Sequence, residues 1–189
     1  MSLRSNLVHA GKAVASVNGF LHLGSSTRQS FLGRAKNPTT QMCIVSQREM
    51  QRYCAQSQLM FQPGSARNSV EIECAARMAK VYGCGNCGDM AALAYSLLQQ
   101  WGVKPLDLMK CTNMDHMFVV IGMRDGADPT DYRSWGPEAV VCDPWAPGVL
   151  GGQKGRHYAA SEIAATMVGG KTTRYTSVQR FPQPGSHRL

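Results

Sequence analysis

Gly83-Cys84-Gly85-Asn86-Cys87-Gly88-Asp89-Met90-Ala91 is a glycine-rich turn that runs directly into an apolar-periodic segment. Met90, Leu93, Ala94, Leu97 and Leu98 recur at helical spacing, so a helix is expected from near Cys87 to Trp101, with Gly102 as its stop. Upstream, Asn68 with Glu71 has capping-box spacing, and Val70, Cys74, Met78 and Val81 form an apolar stripe that ends at Gly83. Ser46 with Glu49 repeats the capping arrangement and predicts a helix over about 47–60, closed by a turn at 62–65. Downstream of Pro105 the period changes. Residues 106–109, 117–123 and 139–142 read as strands, with a Gly/Asp/Pro/Trp-rich loop at 126–137. A loop at 144–155, a short helix from Ser161 to Val168 and a last strand within 172–181 complete the pattern. Helices first and an antiparallel sheet after them define an α+β fold.

The chain has 189 residues, enough for one domain with tails. That domain is expected over 46–181, behind a flexible basic leader at 1–45 and ahead of a basic tail at 182–189. The leader's apolar run is broken by His9, Lys12, Asn18 and His22, so it lacks the continuous core of a secretory signal. Its composition fits an organelle transit peptide, the leader of a secreted bacterial effector, or a plain flexible terminus. No stretch reaches the roughly 18–20 apolar residues of a membrane span.

The formal charge of +8 belongs to the ends. Residues 1–48 hold six basic and no acidic residues, and 171–189 hold four basic and again no acid. The body between them carries 10 basic and 12 acidic residues, a net of −2. A nucleic-acid-binding domain wants its basic face on the folded unit, so specific nucleic-acid binding is not expected. The seven cysteines (43, 54, 74, 84, 87, 111 and 142) are odd in number and show no even framework. Cys74 and Cys142 fall within apolar patterns, where free cysteine acts as a small hydrophobe, and the expected compartment is reducing.

Cys87 stands where the helix dipole and unpartnered first-turn N–H groups favour a thiolate, the nucleophilic form. His116 opens the run His116-Met-Phe-Val-Val-Ile121, in which His116, Phe118 and Val120 share a face. Asp143 closes Val140-Val-Cys-Asp-Pro-Trp145, where an acid can hold the imidazole tautomer. Trp145 is placed to shield the pair from water. The N–H groups of Cys87 and Gly88, and the Asn86 side chain, are candidate donors to an oxyanion.

Plainer readings compete. Cys84-Gly85-Asn86-Cys87 is a C-x-x-C, which with Cys111, His116 or Cys142 would suit a zinc-stabilised binding module. The same four residues would suit a dithiol redox protein, although a helix rather than a buried strand precedes them. Cys84 is the fallback nucleophile and Asp115 the fallback acid. His22 and His157 have no partners in the pattern and are expected in solvent. Trp135 and Tyr132 are expected in a surface loop, with a groove lining as the alternative.

Three short stretches carry a family resemblance: Gly85-Asn86-Cys87-Gly88-Asp89-Met90-Ala91, Asp115-His116-Met117-Phe118-Val119-Val120 and Val141-Cys142-Asp143-Pro144-Trp145. Together, across about 83–146, they resemble the papain-like and transglutaminase-like cysteine superfamily, and look most like compact bacterial effectors and toxins. The resemblance implies Cys87 as nucleophile at a helix N-terminus, His116 as base and Asp143 as orienter, with no cofactor and no metal. It implies action on a protein substrate, first as a glutamine deamidase, otherwise as a protease or transglutaminase. A host protein as partner and secretion into a host cell follow from the same resemblance. One departure stands out: 79–86 lacks the glutamine that papain places before its cysteine. Asn86, backbone groups, or Gln56, Gln58 or Gln62 are left to fill that role.

Overall fold

The computed structural model describes residues 1–25, 27, 37–61, 66–147, 155–170 and 173–182. Among the described residues the architecture is α+β, with four helices followed by a five-stranded antiparallel sheet.

Helix α1 (Leu3–Phe20) overturns the expectation of a flexible leader for the residues described there. Ser2 caps it, accepting from the Ser5 N–H at 3.3 Å. It buries Asn6, Ala10, Ala13, Val14 and Val17, a stripe of mostly small side chains that admits close approach to the sheet. The polar residues that interrupt its apolar run are accommodated individually. Lys12 lies over the Trp101 ring at 4.2 Å. Asn18 donates to the carbonyl of Pro144 at 3.0 Å, and Asn6 to that of Glu138 at 2.8 Å. A helix bound by scattered long-range contacts has no local sequence signature beyond its period.

Helix α2 (Pro38–Phe61) begins well before the expected start, because Asn37 rather than Ser46 accepts from the first turn, at 2.8 Å from the Thr39 N–H. Ser46 and Glu49 lie inside it, and the expected turn at 62–65 falls outside the described residues. Helix α3 (Arg67–Tyr82) starts at Arg67 with no side-chain cap, so Asn68 sits in its first turn. Gly83 ends it at φ +73°, a left-handed conformation that favours glycine. Helix α4 (Cys87–Gln100) matches the expected element to within a residue.

The sheet order is β4-β3-β2-β1-β5, with β1 Leu106–Cys111, β2 His116–Ile121, β3 Val140–Asp143, β4 Arg156–Ala159 and β5 Tyr175–Phe181. The edge strand β4 is an addition to the expected set. Two 3₁₀ turns, Ala160–Ala165 and Met167–Gly169, replace the helix expected after Ser161. Leu106, Leu108, Val119, Ile121, Val140 and Cys142 face α1, α3 and α4, forming the main core. The opposite face carries Phe118, Val120 and Val141 against Trp135, Ile163 and Tyr175. Trp135 is therefore neither a surface residue nor a groove lining. It is fully buried, donates to the Asp128 carbonyl at 3.2 Å, and meets Tyr175 edge-on at 5.4 Å.

Helix α2 buries only Thr40, Ile44 and Gln47, too little apolar surface to dock it firmly. Two disulfides, Cys43–Cys84 and Cys54–Cys74, supply the attachment. This corrects the expectation of a chain without a disulfide framework, and of Cys74 as a free hydrophobe. The bridges close separations of 41 and 20 residues, which no spacing rule singles out. Cys87, Cys111 and Cys142 remain free thiols. Among the described residues no helix is long and apolar enough to cross a membrane.

Candidate active site

Two adjacent segments fix the turn before α4. Residues 21–24 run beside it, with Leu23 N–H donating to Gly83 and Gly85 N–H donating to Gly24, at 2.9 and 3.1 Å. Gly85 is required here, since a Cβ would come within 2.7 Å of the Asp89 Cβ. Asp89 accepts the Asn86 N–H at 2.9 Å, closing the turn onto the helix start. Its other oxygen accepts from Gln47 of α2 at 3.1 Å. Burial raises the Asp89 carboxyl above its ordinary range, against the lowering effect of these hydrogen bonds.

Cys87 is the first residue of α4, nearly buried, with its thiol 3.5 Å from the Asp115 carbonyl. His116 opens β2 directly opposite Cys111 of β1. On the other side of β2, Val119 pairs with Cys142, which sets Asp143 beside Phe118. His116 lies two residues before Phe118 on the same face, so the two residues are diagonal neighbours across adjacent strands. Their side chains bridge that offset: His116 Nε2 is 2.8 Å from Asp143 Oδ2, with side-chain exposures of 2% and 1%.

Both oxygens of Asp143 are engaged. Oδ2 meets the imidazole, and Oδ1 accepts from the Trp145 and Ala146 N–H groups at 3.1 and 3.0 Å. Burial alone would push the His116 pKa down. The Asp143 carboxylate, by charge and hydrogen bond, and then the neighbouring Cys87 outweigh burial and hold it at about 9. Cys111 behaves oppositely: burial, then the charges of Asp143 and Cys87, push its thiol up to about 12. Cys142 is fully buried on the other face of β3, with its thiol directed to the Ala10 carbonyl, and burial likewise raises it.

Trp145 closes the site, its ring centroid 5.1 Å from that of His116. Its indole N–H donates to Ser25 and Thr27 hydroxyls at 3.2 and 3.0 Å. The same two hydroxyls donate to Asn86 Oδ1, each at 3.0 Å. Ser25 and Thr27 thus tie the turn carrying Cys87 to the loop following Asp143. Sequence reading missed both, because a Ser/Thr pair in a serine-rich stretch carries no period and no motif. It also missed Gln47, a helix residue whose burial reveals its role only in three dimensions.

Other expected residues take different places. Cys84 is joined to Cys43 and has no thiol to share with Cys87, which corrects both its fallback role and the paired Cys84/Cys87 readings. Among the described residues no cluster of three or more His, Cys, Asp or Glu is arranged to hold a metal. Asp115 is an exposed turn residue that contributes its carbonyl. Gln56 is exposed and Gln62 lies outside the described residues; the glutamine of α2 that reaches the turn is Gln47. His22 and His157 are exposed, as expected.

Comparison with known protein families, with curated proteins and with solved structures finds no match to this chain.

Proposed function

We propose that the protein is a cysteine-dependent amidohydrolase or acyltransferase with Cys87 as nucleophile, His116 as proton carrier and Asp143 as its orienter. The observation that carries this reading is the buried 2.8 Å contact between His116 and Asp143, set against the helix start that bears Cys87. A free thiol, a base and a group orienting that base are the components that nucleophilic catalysis requires. An imidazole with a pKa of about 9 is protonated at neutral pH, which suits its role as donor to a departing nitrogen.

In the proposed reaction Cys87 Sγ attacks an amide carbonyl carbon, and the charge that develops on oxygen faces the first-turn N–H groups of Cys87 and Gly88. His116 gives its proton to the departing nitrogen as the C–N bond breaks, leaving a thioester. Water then attacks, His116 takes its proton, and the C–S bond breaks to return the thiolate. With a glutamine carboxamide the leaving group is ammonia and the product glutamate, which is the first choice within the class. A peptide bond in its place gives proteolysis, and an amine in place of water gives transamidation.

The order Cys, His, Asp on a helix and two neighbouring strands accords with the papain-like or transglutaminase-like core that the motifs suggest. Membership of that superfamily, a host protein as substrate and delivery by a bacterium are parts of the same proposal. The test is alkylation of each cysteine across about pH 5–9, mapped by mass, in the native protein and in His116→Ala. Selective reaction of Cys87 near pH 6 that depends on His116 supports the reading. Equal reactivity of the three free thiols, or a Cys87 rate indifferent to His116, overturns it.

A further inference from the structure

A cavity of about 230 Å³ opens one residue from Cys87, between α2, α3, α4 and the strands β1, β2 and β5. Gly88 forms part of its wall. A Cβ there would reach within 3.4 Å of the Met117 sulfur, so the missing side chain leaves the space between the two open. Ile72, Ala75, Ala92, Leu108 and Val178 make most of the lining aliphatic, with the amides of Gln51 and Asn68 also on the wall. The acids on the wall are already engaged: Glu71 pairs with Arg67 at 2.8 Å, and Asp89 is held by Gln47 and the Asn86 N–H. With most of the wall aliphatic, recognition inside the cavity rests chiefly on apolar contact. Its volume is below the roughly 300–1,000 Å³ of a small-molecule site and suits one medium-sized side chain.

We infer that this cavity is a specificity pocket, taking an aliphatic side chain of Leu or Met size from a residue flanking the amide presented to Cys87. The inference rests on the proposed role of Cys87 and adds a substrate preference to it. Met117 follows His116 in β2 and Gly88 follows Cys87 in α4, so the pocket is built on the same two elements as the reacting pair. A substrate seated on the thiol has the pocket beside it.

The test uses acetyl-dipeptide chloromethyl ketones that differ only in the residue before the warhead: Gly, Leu, Met, Lys or Glu. Cys87 thiolate displaces chloride from the methylene carbon, forming a thioether, and mass mapping reads the rate at that residue. The expected result is a preference of about tenfold or more for Leu and Met over Gly, Lys and Glu. Val178→Trp, on the sheet-edge strand, and Ala92→Leu, on the helix, each reduce the space. Either is expected to cut the preference to within about twofold while the rate with plain iodoacetamide stays unchanged. Selective, His116-dependent iodoacetamide labelling of Cys87 with no side-chain preference overturns the pocket alone. A preference that survives in both variants also overturns it. Loss of selective iodoacetamide labelling in the native protein overturns the role of Cys87, and the pocket with it.

Discussion

His116 and Asp143 face each other from neighbouring antiparallel strands, 2.8 Å apart and almost wholly out of solvent. Because Asp143 Oδ1 is held by two backbone N–H groups, its carboxylate cannot swing away from the ring. Asp143→Asn keeps the shape and removes the charge. The expected result is a fall on the order of 10²–10⁴ in any turnover that uses His116 as proton carrier. Cys87 alkylation near pH 6 should fall in parallel, measured by mass mapping. Asp143→Ala leaves the imidazole buried without its partner and should cost about 3–5 kcal/mol in denaturant unfolding.

The same pair sets a pH dependence of stability. The folded imidazole has its pKa at about 9, above the ordinary value of 6.5. Protonation therefore favours the folded state. The stabilisation is complete below about pH 6.5 and is lost as pH rises through about 9. Unfolding free energies of the native protein and of His116→Gln, measured across that window, should converge towards its upper end. A difference that stays constant with pH contradicts this.

Asn86 is expected to be more sensitive than an ordinary helix cap. Its side-chain oxygen receives both hydroxyls that hold the Trp145 indole. Asn86→Ala should cost about 1–3 kcal/mol, because the buried donors lose a shared acceptor. Asn86→Asp, which keeps an oxygen in place, should recover most of that loss. Thermal unfolding compares the three proteins, and Trp145 fluorescence reports whether the loop moves.

Thiol counting decides the cysteine pairing. Denatured without reductant, the protein should show three reactive thiols, Cys87, Cys111 and Cys142. Seven would return the chain to a fully reduced state and to the reducing compartment inferred from composition. Removing either bridge by paired Cys→Ser substitution should cost about 2–4 kcal/mol. The loss of Cys43–Cys84 should also change Cys87 reactivity, because Cys84 lies in the turn that presents it.

The amino-acid sequence by itself determined the helix from Cys87, the strands around His116 and Asp143, and the order of helices before sheet. Those are local matters of period, capping and turn chemistry, and they carry the three residues on which the proposed chemistry depends. Tertiary structure alone decided where the first helix docks, which cysteines pair, and that Ser25, Thr27 and Gln47 brace the turn. Each of those is a contact between segments far apart in the chain, made by single polar or small side chains. Trp135 shows the same limit: its loop reads as surface, yet the open face of the sheet needed covering and the indole fills it. Burial on that face depends on the sheet already being assembled, and no window of sequence contains that information.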